Sequence, residues 1–280
     1  MRWIDFIAPE KAVQYEVMNN IYYFHKRLMK AANRCGFSMI SLGEVVSEKK
    51  YIDEKNSIYL MKREIVDGPR GLIAAGFHGD EIAGPWGVVN FLENTDLDIF
   101  DNINISIIPL VNPMGFRLNM RSGGYGLDAN RGYIETKNTQ EVFKLSREGE
   151  ILKSHQSIYK DLGKDGLICL HEAPGADYEY FIYGYEKDVK PGNFTNLFKE
   201  IEAKFFMPFG FGYSPTKRDT VVNSIVFKRF DGGFQDWLFR GGMTDRAVVT
   251  ETPGNQPLEL RIKCNVEMID AFINWIRDNV

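Results

Sequence analysis

The chain has 280 residues, 44% hydrophobic and 26% charged, with a net charge of −4. That is ordinary for a globular protein with a sizeable core, and it excludes a basic footprint for nucleic acid. Three scattered cysteines, Cys35, Cys169 and Cys264, show no metal or redox spacing; they argue against a disulfide-stapled secreted fold and fit a reducing compartment. The stretch Met1 to Phe6 is interrupted by charge too soon for a signal peptide. No apolar run approaches the roughly 20 residues of a membrane span. The expectation is a cytoplasmic protein with neither a nucleic-acid nor a membrane partner.

Taken in chain order, Val13, Val17, Ile21, Leu28 and Ala32 recur mostly at three- and four-residue steps. This predicts one amphipathic helix from Pro9 to Arg34, stopped by Gly36. Its Tyr22-Tyr23-Phe24 run reads as packing surface, and His25 as a surface or core histidine. Phe37 to Val46 and Ser57 to Ile65 read as a hairpin with a charged tip. After the turn Asp67-Gly68-Pro69-Arg70 comes a short buried strand, Gly71 to Ala75. Ile82 to Glu93 is predicted helical, with Pro85 tolerable in the first turn. Ile105 to Val111 is a further core strand, and Asn112-Pro113-Met114-Gly115 is predicted to be a loop. Met120 to Tyr133 is glycine-rich with Arg121, Asp128 and Arg131 embedded, and glycine permits tight turns around a site. Thr139 to Leu162 reads as helix, Gly166 to Leu170 as buried strand, Tyr178 to Tyr185 as strand and Asn193 to Phe206 as helix. Met207 to Phe234 has weak periodicity and reads as irregular, a lid or pocket wall. Ala247 to Thr250 is the last strand, ended by Glu251, and Leu258 to Asn279 closes the chain as a helix.

Alternating strands and helices predict an α/β fold: a single domain over residues 1–280, with a mixed, largely parallel sheet between helices and an N-terminal helical extension over about 9–35. In open α/β sheets ligands bind beyond the carboxyl ends of the strands. His78, Asn112, His171 and Glu251 each end a separate apolar run, which places them in one site. His78 and Glu81 stand three apart where a strand turns into a helix, so an imidazole and a carboxylate can converge on one metal ion. They supply two of the three protein ligands that a catalytic zinc needs. By itself, His-x-x-Glu is equally compatible with a capped helix start and an incidental histidine, and Arg131 with a structural ion pair.

The ordered set is His78-Gly79-Asp80-Glu81, Asn112-Pro113-Met114-Gly115-Phe116, Asp128-Ala129-Asn130-Arg131, Leu170-His171 and Glu251-Thr252. From about Phe37 onward it resembles the zinc metallocarboxypeptidases of the carboxypeptidase A type, with a feel of the small bacterial members, some of which trim peptidoglycan peptides. The resemblance implies one Zn²⁺ held by His78, Glu81 and His171, with a position left for water. It implies that Asp128 accepts a hydrogen bond from the first histidine and that Glu251 is the general base. It implies an oxyanion-stabilising arginine, by spacing Arg121 ahead of Arg117, and a substrate carboxylate gripped by Asn130 and Arg131. The implied partner is a peptide or acylated amino acid with a free carboxylate. Glu172, if the strand continues, points to the opposite face from His171. The chain departs from the digestive enzymes at Asp80, where they carry an arginine, at Gly132, and in a short span between Glu81 and His171. Their mobile tyrosine has several possible counterparts here: Tyr178, Tyr180, Tyr183, Tyr185 and Tyr213. A zinc N-acyl-amino-acid deacylase of the aspartoacylase and succinylglutamate desuccinylase type shares most of these motifs and is the nearest rival. A non-catalytic zinc or peptide-binding module is a third reading, which an intact Glu251 disfavours.

Overall fold

Runs such as Gly71-Leu72-Ile73-Ala74-Ala75 and Gly166-Leu167-Ile168-Cys169-Leu170 carry no polar face, so they need cover on both sides. A computed structural model describes residues 18–46, 55–63, 66–123, 126–134, 143–186, 193–209, 212–213, 220–227 and 232–280. In it the two runs become β3 (Arg70–Ala75) and β5 (Gly166–Ala173), parallel neighbours in the middle of a mixed sheet. Parallel pairing continues from β3 to β4 (Asn104–Ile108) on one side and from β5 to β11 (Arg246–Pro253) on the other. The hairpin of β1 (Ser38–Val46) and β2 (Lys55–Lys62) joins antiparallel to β4. On the far side, β6 (Glu179–Glu186) runs antiparallel to β11. The chain leaves β3 for β4 in one direction and reaches β5 in the other. A crevice therefore opens beyond the carboxyl ends of these strands.

Helices cover both faces. On one side lie α1 (Ile21–Arg34), α2 (Ala83–Asn94), α6 (Asn193–Glu202) and α8 (Leu258–Asn279), whose apolar stripes share one core cluster with Ile73, Ile105, Ile168 and Val248. On the other side, residues of α4 (Arg147–Ser154), α5 (Tyr159–Gly163) and α7 (Phe234–Arg240) join Leu72, Ala74, Leu167 and Val249. Phe272 of α8 is fully buried. Its ring lies so close to β3 that a Cβ on Gly71 would stand 2.9 Å from Cε1, so a larger residue there would have to push the ring aside. The fold is thus the mixed α/β arrangement expected, a largely parallel sheet between helix layers.

Several local expectations change. Asn112 to Gly115 is not an open loop but the start of α3 (Pro113–Leu118). Pro113 takes the first helical position, where its missing N–H costs nothing, and the Asn112 side chain caps the helix by accepting from the Gly115 N–H at 2.8 Å. The helix predicted over Thr139 to Leu162 is two short helices, α4 and α5, joined by a tight turn at Gln156–Ile158; residues 135–142 lie outside those described. The stretch read as irregular supplies short strands β7 (Met207–Pro208), β8 (Gly212–Tyr213), β9 (Thr220–Val222) and β10 (Ile225–Phe227), of which β10, β9 and β8 extend the sheet beyond β6. Residues 9–17 of the predicted first helix are outside the described ones.

Phe272→Ala should cost about 3–5 kcal/mol of stability, as expected for emptying a fully buried aromatic site. Denaturant titration should show a lower midpoint with an unchanged slope.

Candidate active site

The sharp turn after β3 brings His78 and Glu81 under the crevice. Gly79 makes that turn possible, because a Cβ on it would fall 1.8 Å from the Gly115 carbonyl carbon of α3. Asn112 ties the pieces together: its Nδ2 donates to the carbonyls of Phe77 (3.3 Å) and Arg121 (3.1 Å) while its Oδ1 caps α3. β5 carries His171 to the same place and continues past it to Ala173, and β11 continues past Glu251 to Pro253. Both residues are therefore inside their strands, not at the ends.

Glu81, buried at 2% exposure, is the centre. Its Oε1 lies 2.6 Å from His78 Nδ1, and its Oε2 lies 2.9 Å from His171 Nδ1. The backbone N–H of Glu172 donates to the same Oε2 at 3.2 Å. One ligand atom from each of His78, Glu81 and His171 lies within 4.8 Å of the others. The other nitrogen of His78, Nε2, meets Asp128 Oδ1 at 3.0 Å. Asp128 is held in turn by the Asn130 N–H at 2.8 Å. The Phe77 ring stacks on the His171 ring, 5.4 Å between centroids. A carboxylate and two imidazoles, with Nδ1 of each turned to the carboxylate and an acid behind one of them, form a donor set that suits zinc.

The charges agree. Burial disfavours imidazolium at His78, but Glu81 and Asp128 outweigh it and raise the His78 pKa to about 9. Burial raises Glu81 and Asp128, yet His78 and His171 hold Glu81, and His78, Arg131 and Arg121 hold Asp128, below the usual carboxylate range. His171 is lowered, chiefly by burial. The pocket thus favours positive charge at His78.

Arg121 reaches the cluster: Nη1 donates to Glu81 Oε1 at 3.2 Å and Nη2 to Asp128 Oδ2 at 3.1 Å, with 43% of the side chain exposed. Of the two arginines considered, it is the one whose described contacts lie in the site. Glu251 is half-buried, the parallel register partner of His171, and its charge acts on Arg121. Neighbouring register partners share a face, so the Glu251 side chain points as His171 does. Asn130 has a different contact from the one expected. It is 3% exposed, its Oδ1 accepts from the Phe234 N–H at 2.8 Å, and its Nδ2 lies 3.4 Å from His171 Nε2. Its amide thus touches both His171 and α7. Arg131 is half-buried beside Asp128, with Nη1 donating to the Asn130 carbonyl at 2.9 Å. Tyr180 turns to the far face, donating to the Lys199 carbonyl at 2.8 Å, whereas Tyr183 and Tyr185 pack on the core of the site's side. Tyr178 is exposed, and the side chain of Tyr213 lies outside those described.

Sequence reasoning missed α7, although Gly232-Gly233 followed by Phe234, Trp237 and Leu238 at helical spacing was a usable signal. It also missed the buried pair between Glu172 and Arg261, for which nothing local in the sequence is a cue.

The fold and this cluster define a hydrolase of the zinc carboxypeptidase-like fold, with two histidines and a glutamate placed so that they could hold a metal ion. The chain belongs to one family with a protein assigned as a metallopeptidase from Shewanella amazonensis SB2B: they are 30% identical over 93% of this chain and 94% of that one, with a TM-score of 0.81. The family model of the succinylglutamate desuccinylase/aspartoacylase catalytic domain matches residues 67–203, the span that contains His78, Glu81, Asp128, Arg131 and His171. The fold is also similar to a metallo-carboxypeptidase from Burkholderia cenocepacia, at 16% identity, TM-score 0.64, over 90% of this chain and 68% of that one. It is similar as well to a succinylglutamate desuccinylase from Silicibacter sp. TM1040, at 14% identity, TM-score 0.59, over 86% and 67%. No curated protein sequence matches the chain. Among the described residues no helix is long and apolar enough to cross a membrane.

Because a metal must displace the proton that His78 holds up to about pH 9, zinc affinity should weaken as pH falls below that value, by about tenfold per unit for one displaced proton. Competition with a chromophoric chelator at several pH values measures it. His171→Ala should drop metal content well below one equivalent by elemental analysis.

Proposed function

We propose that this protein is a zinc-dependent metallocarboxypeptidase, which hydrolyses the C-terminal amide bond of a peptide or of a peptidoglycan-derived peptide. The observation that carries the reading is the convergence of His78, Glu81 and His171 in one buried cluster with Glu251 as the register partner of His171. The likeness along nearly the whole chain to a protein assigned as a metallopeptidase supports the peptide substrate. His78, Glu81 and His171 would hold one Zn²⁺. When bound, such an ion polarises the scissile carbonyl and makes a water more acidic.

The other roles fall to this chain's own side chains. Asp128 fixes which nitrogen of His78 is protonated, leaving Nδ1 for the ion. The Glu251 carboxylate takes the proton from the attacking water and passes it to the leaving amine. Arg121, cationic and partly exposed at the crevice, stabilises negative charge that develops on the carbonyl oxygen. Arg131 offers two parallel donors to the substrate carboxylate. Asn130 keeps His171 aligned, a support of the substrate site and not one of its contacts.

A second reading is an N-acyl-amino-acid deacylase, favoured by the family model over residues 67–203. Turnover of dipeptides with a free C-terminus, compared with N-acetyl and N-succinyl amino acids, separates the two. Preference for the acyl amino acids by more than tenfold in kcat/KM would replace the first reading by the second.

Glu251→Gln should lower kcat by about 10² to 10⁴-fold while zinc is retained; activity within threefold of wild type would exclude Glu251 as the base. Arg131→Ala should raise KM steeply for a substrate with a free carboxylate, a loss of about 2–5 kcal/mol. Amidating that carboxylate should harm the wild type comparably and add little in the variant, since both changes remove one contact. Fully additive losses would mean that Arg131 and the carboxylate never meet.

A further inference from the structure

Directly behind the metal ligands sits a buried ion pair that the roles above do not use. Glu172 follows His171 in β5 and points to the opposite face, at 2% exposure. Its Oε2 receives Arg261 Nη1 of α8, itself 6% exposed, and its Oε1 accepts the Ala83 N–H at 2.7 Å, at the start of α2. The backbone N–H of the same residue donates to Glu81 Oε2. Arg261 Nε meanwhile donates to the Gln256 carbonyl at 2.8 Å, in the turn that follows β11. That turn is tied to the end of β5 by the Gly254 N–H on the Ala173 carbonyl, at 3.0 Å.

We propose that the Glu172–Arg261 pair is a positioning brace for the metal centre. It joins three backbone segments that reach the site separately: the turn bearing His78 and Glu81, the strand bearing His171, and the strand bearing Glu251. Ala83 lies two residues beyond Glu81, so the bond from its N–H to Glu172 sets how close the Glu81 turn lies to the end of β5. Arg261 holds the Glu172 rotamer and, through Gln256, the exit of β11. Two charges taken out of water for stability alone would be a poor choice against an apolar pair of the same volume. A pair that fixes the distance between ligands on different segments has a purpose an apolar pair lacks, because its bonds are directional. The inference rests on the reading of His78, Glu81 and His171 as metal ligands, but not on which amide is cleaved.

The test is zinc affinity by chelator competition, with circular dichroism confirming the fold at the temperature of measurement, for wild type, Glu172→Gln, Arg261→Met and Arg261→Lys. Gln at position 172 would turn an amide N–H toward the guanidinium, and Met at 261 would leave the carboxylate unpaired. Each should weaken zinc binding by about 10 to 100-fold, as loss of groups supporting metal ligands does. Lys keeps the charge and should restore part of the affinity. A merely structural pair would lower the melting temperature of the metal-free protein and leave zinc affinity of the folded protein unchanged; that result would overturn the proposal. Should Glu172→Gln fail to fold, the comparison of Arg261→Met with wild type decides: affinity equal within twofold would overturn the brace, and a clear loss would support it. Wild type that binds no zinc would overturn the metal centre and the brace with it, whereas wild type that binds and variants that match it overturn the brace alone.

Discussion

A buried carboxylate is tolerable only when each oxygen is engaged by a donor or a cation, and the site is arranged around one such group. Glu81 Oε1 meets His78 and Arg121; Oε2 meets His171 and the Glu172 N–H. These partners come from the turn after β3, the glycine-rich loop and the end of β5. Satisfying one carboxylate therefore draws three distant segments to one point. The same arithmetic explains why the site suits a divalent ion. Glu81 and Asp128 both act on His78, and Arg121 does not cancel their field there, so positive charge is favoured on its ring, as the elevated His78 pKa shows.

The ligands could not converge without close backbone approach. Gly79 lies against the Gly115 carbonyl where no side chain fits, and Asn112 spans the same gap with all of its amide. The motif residues at Asn112 and Gly115 are thus scaffold, and they act on chemistry only by fixing where His78 and Arg121 stand. Asn130 has the same character, since it binds the first N–H of α7 and faces His171 with the same amide. Three of the residues that make the motif set recognisable therefore help to set the geometry of the site.

Much of this was legible in the sequence because it depended on local pattern. Continuous apolar runs marked β3, β4, β5 and β11, and the chemical residues that follow or close them marked the crevice. The failures have separate physical causes. Pro113 was read as a breaker, yet at a first helical position it is favoured, and Asn112 supplies the cap that makes α3 worth forming. Strands of two or three residues such as β8 and β10 are too short for any period to show. His171 and Glu251 were expected at strand ends, but β5 and β11 continue because they pair with each other through Pro253 and Ala173. The contacts of Asn130 to His171 and α7 have no cue in a motif, because burial is not written there. Arg261 was unreadable because its partner is 89 positions away and meets it only when α8 packs across the sheet.

The two hydrolase readings are nearer in physics than their names suggest. In a peptide cut at its C-terminal bond and in an N-acyl amino acid, the leaving half is the same: an amine bearing a free carboxylate. A guanidinium that gripped this carboxylate would serve both, so the role proposed for Arg131 defines the leaving half and not the class. The residues that match the desuccinylase/aspartoacylase model, 67–203, contain the ligands and Arg131; Glu251 and the strands beyond β6 lie outside that span. What distinguishes the reactions is the acyl half, which one enzyme must receive as a chain and the other as a small group. β6 pairs with β11 through Phe181 and Glu251, and β10, β9 and β8 widen the sheet from there. That extension lies on the flank of the strand that carries Glu251. If the acyl half lies on that flank, the strands beyond β6 decide between a chain and a small group, and His78, Glu81 and His171 serve both.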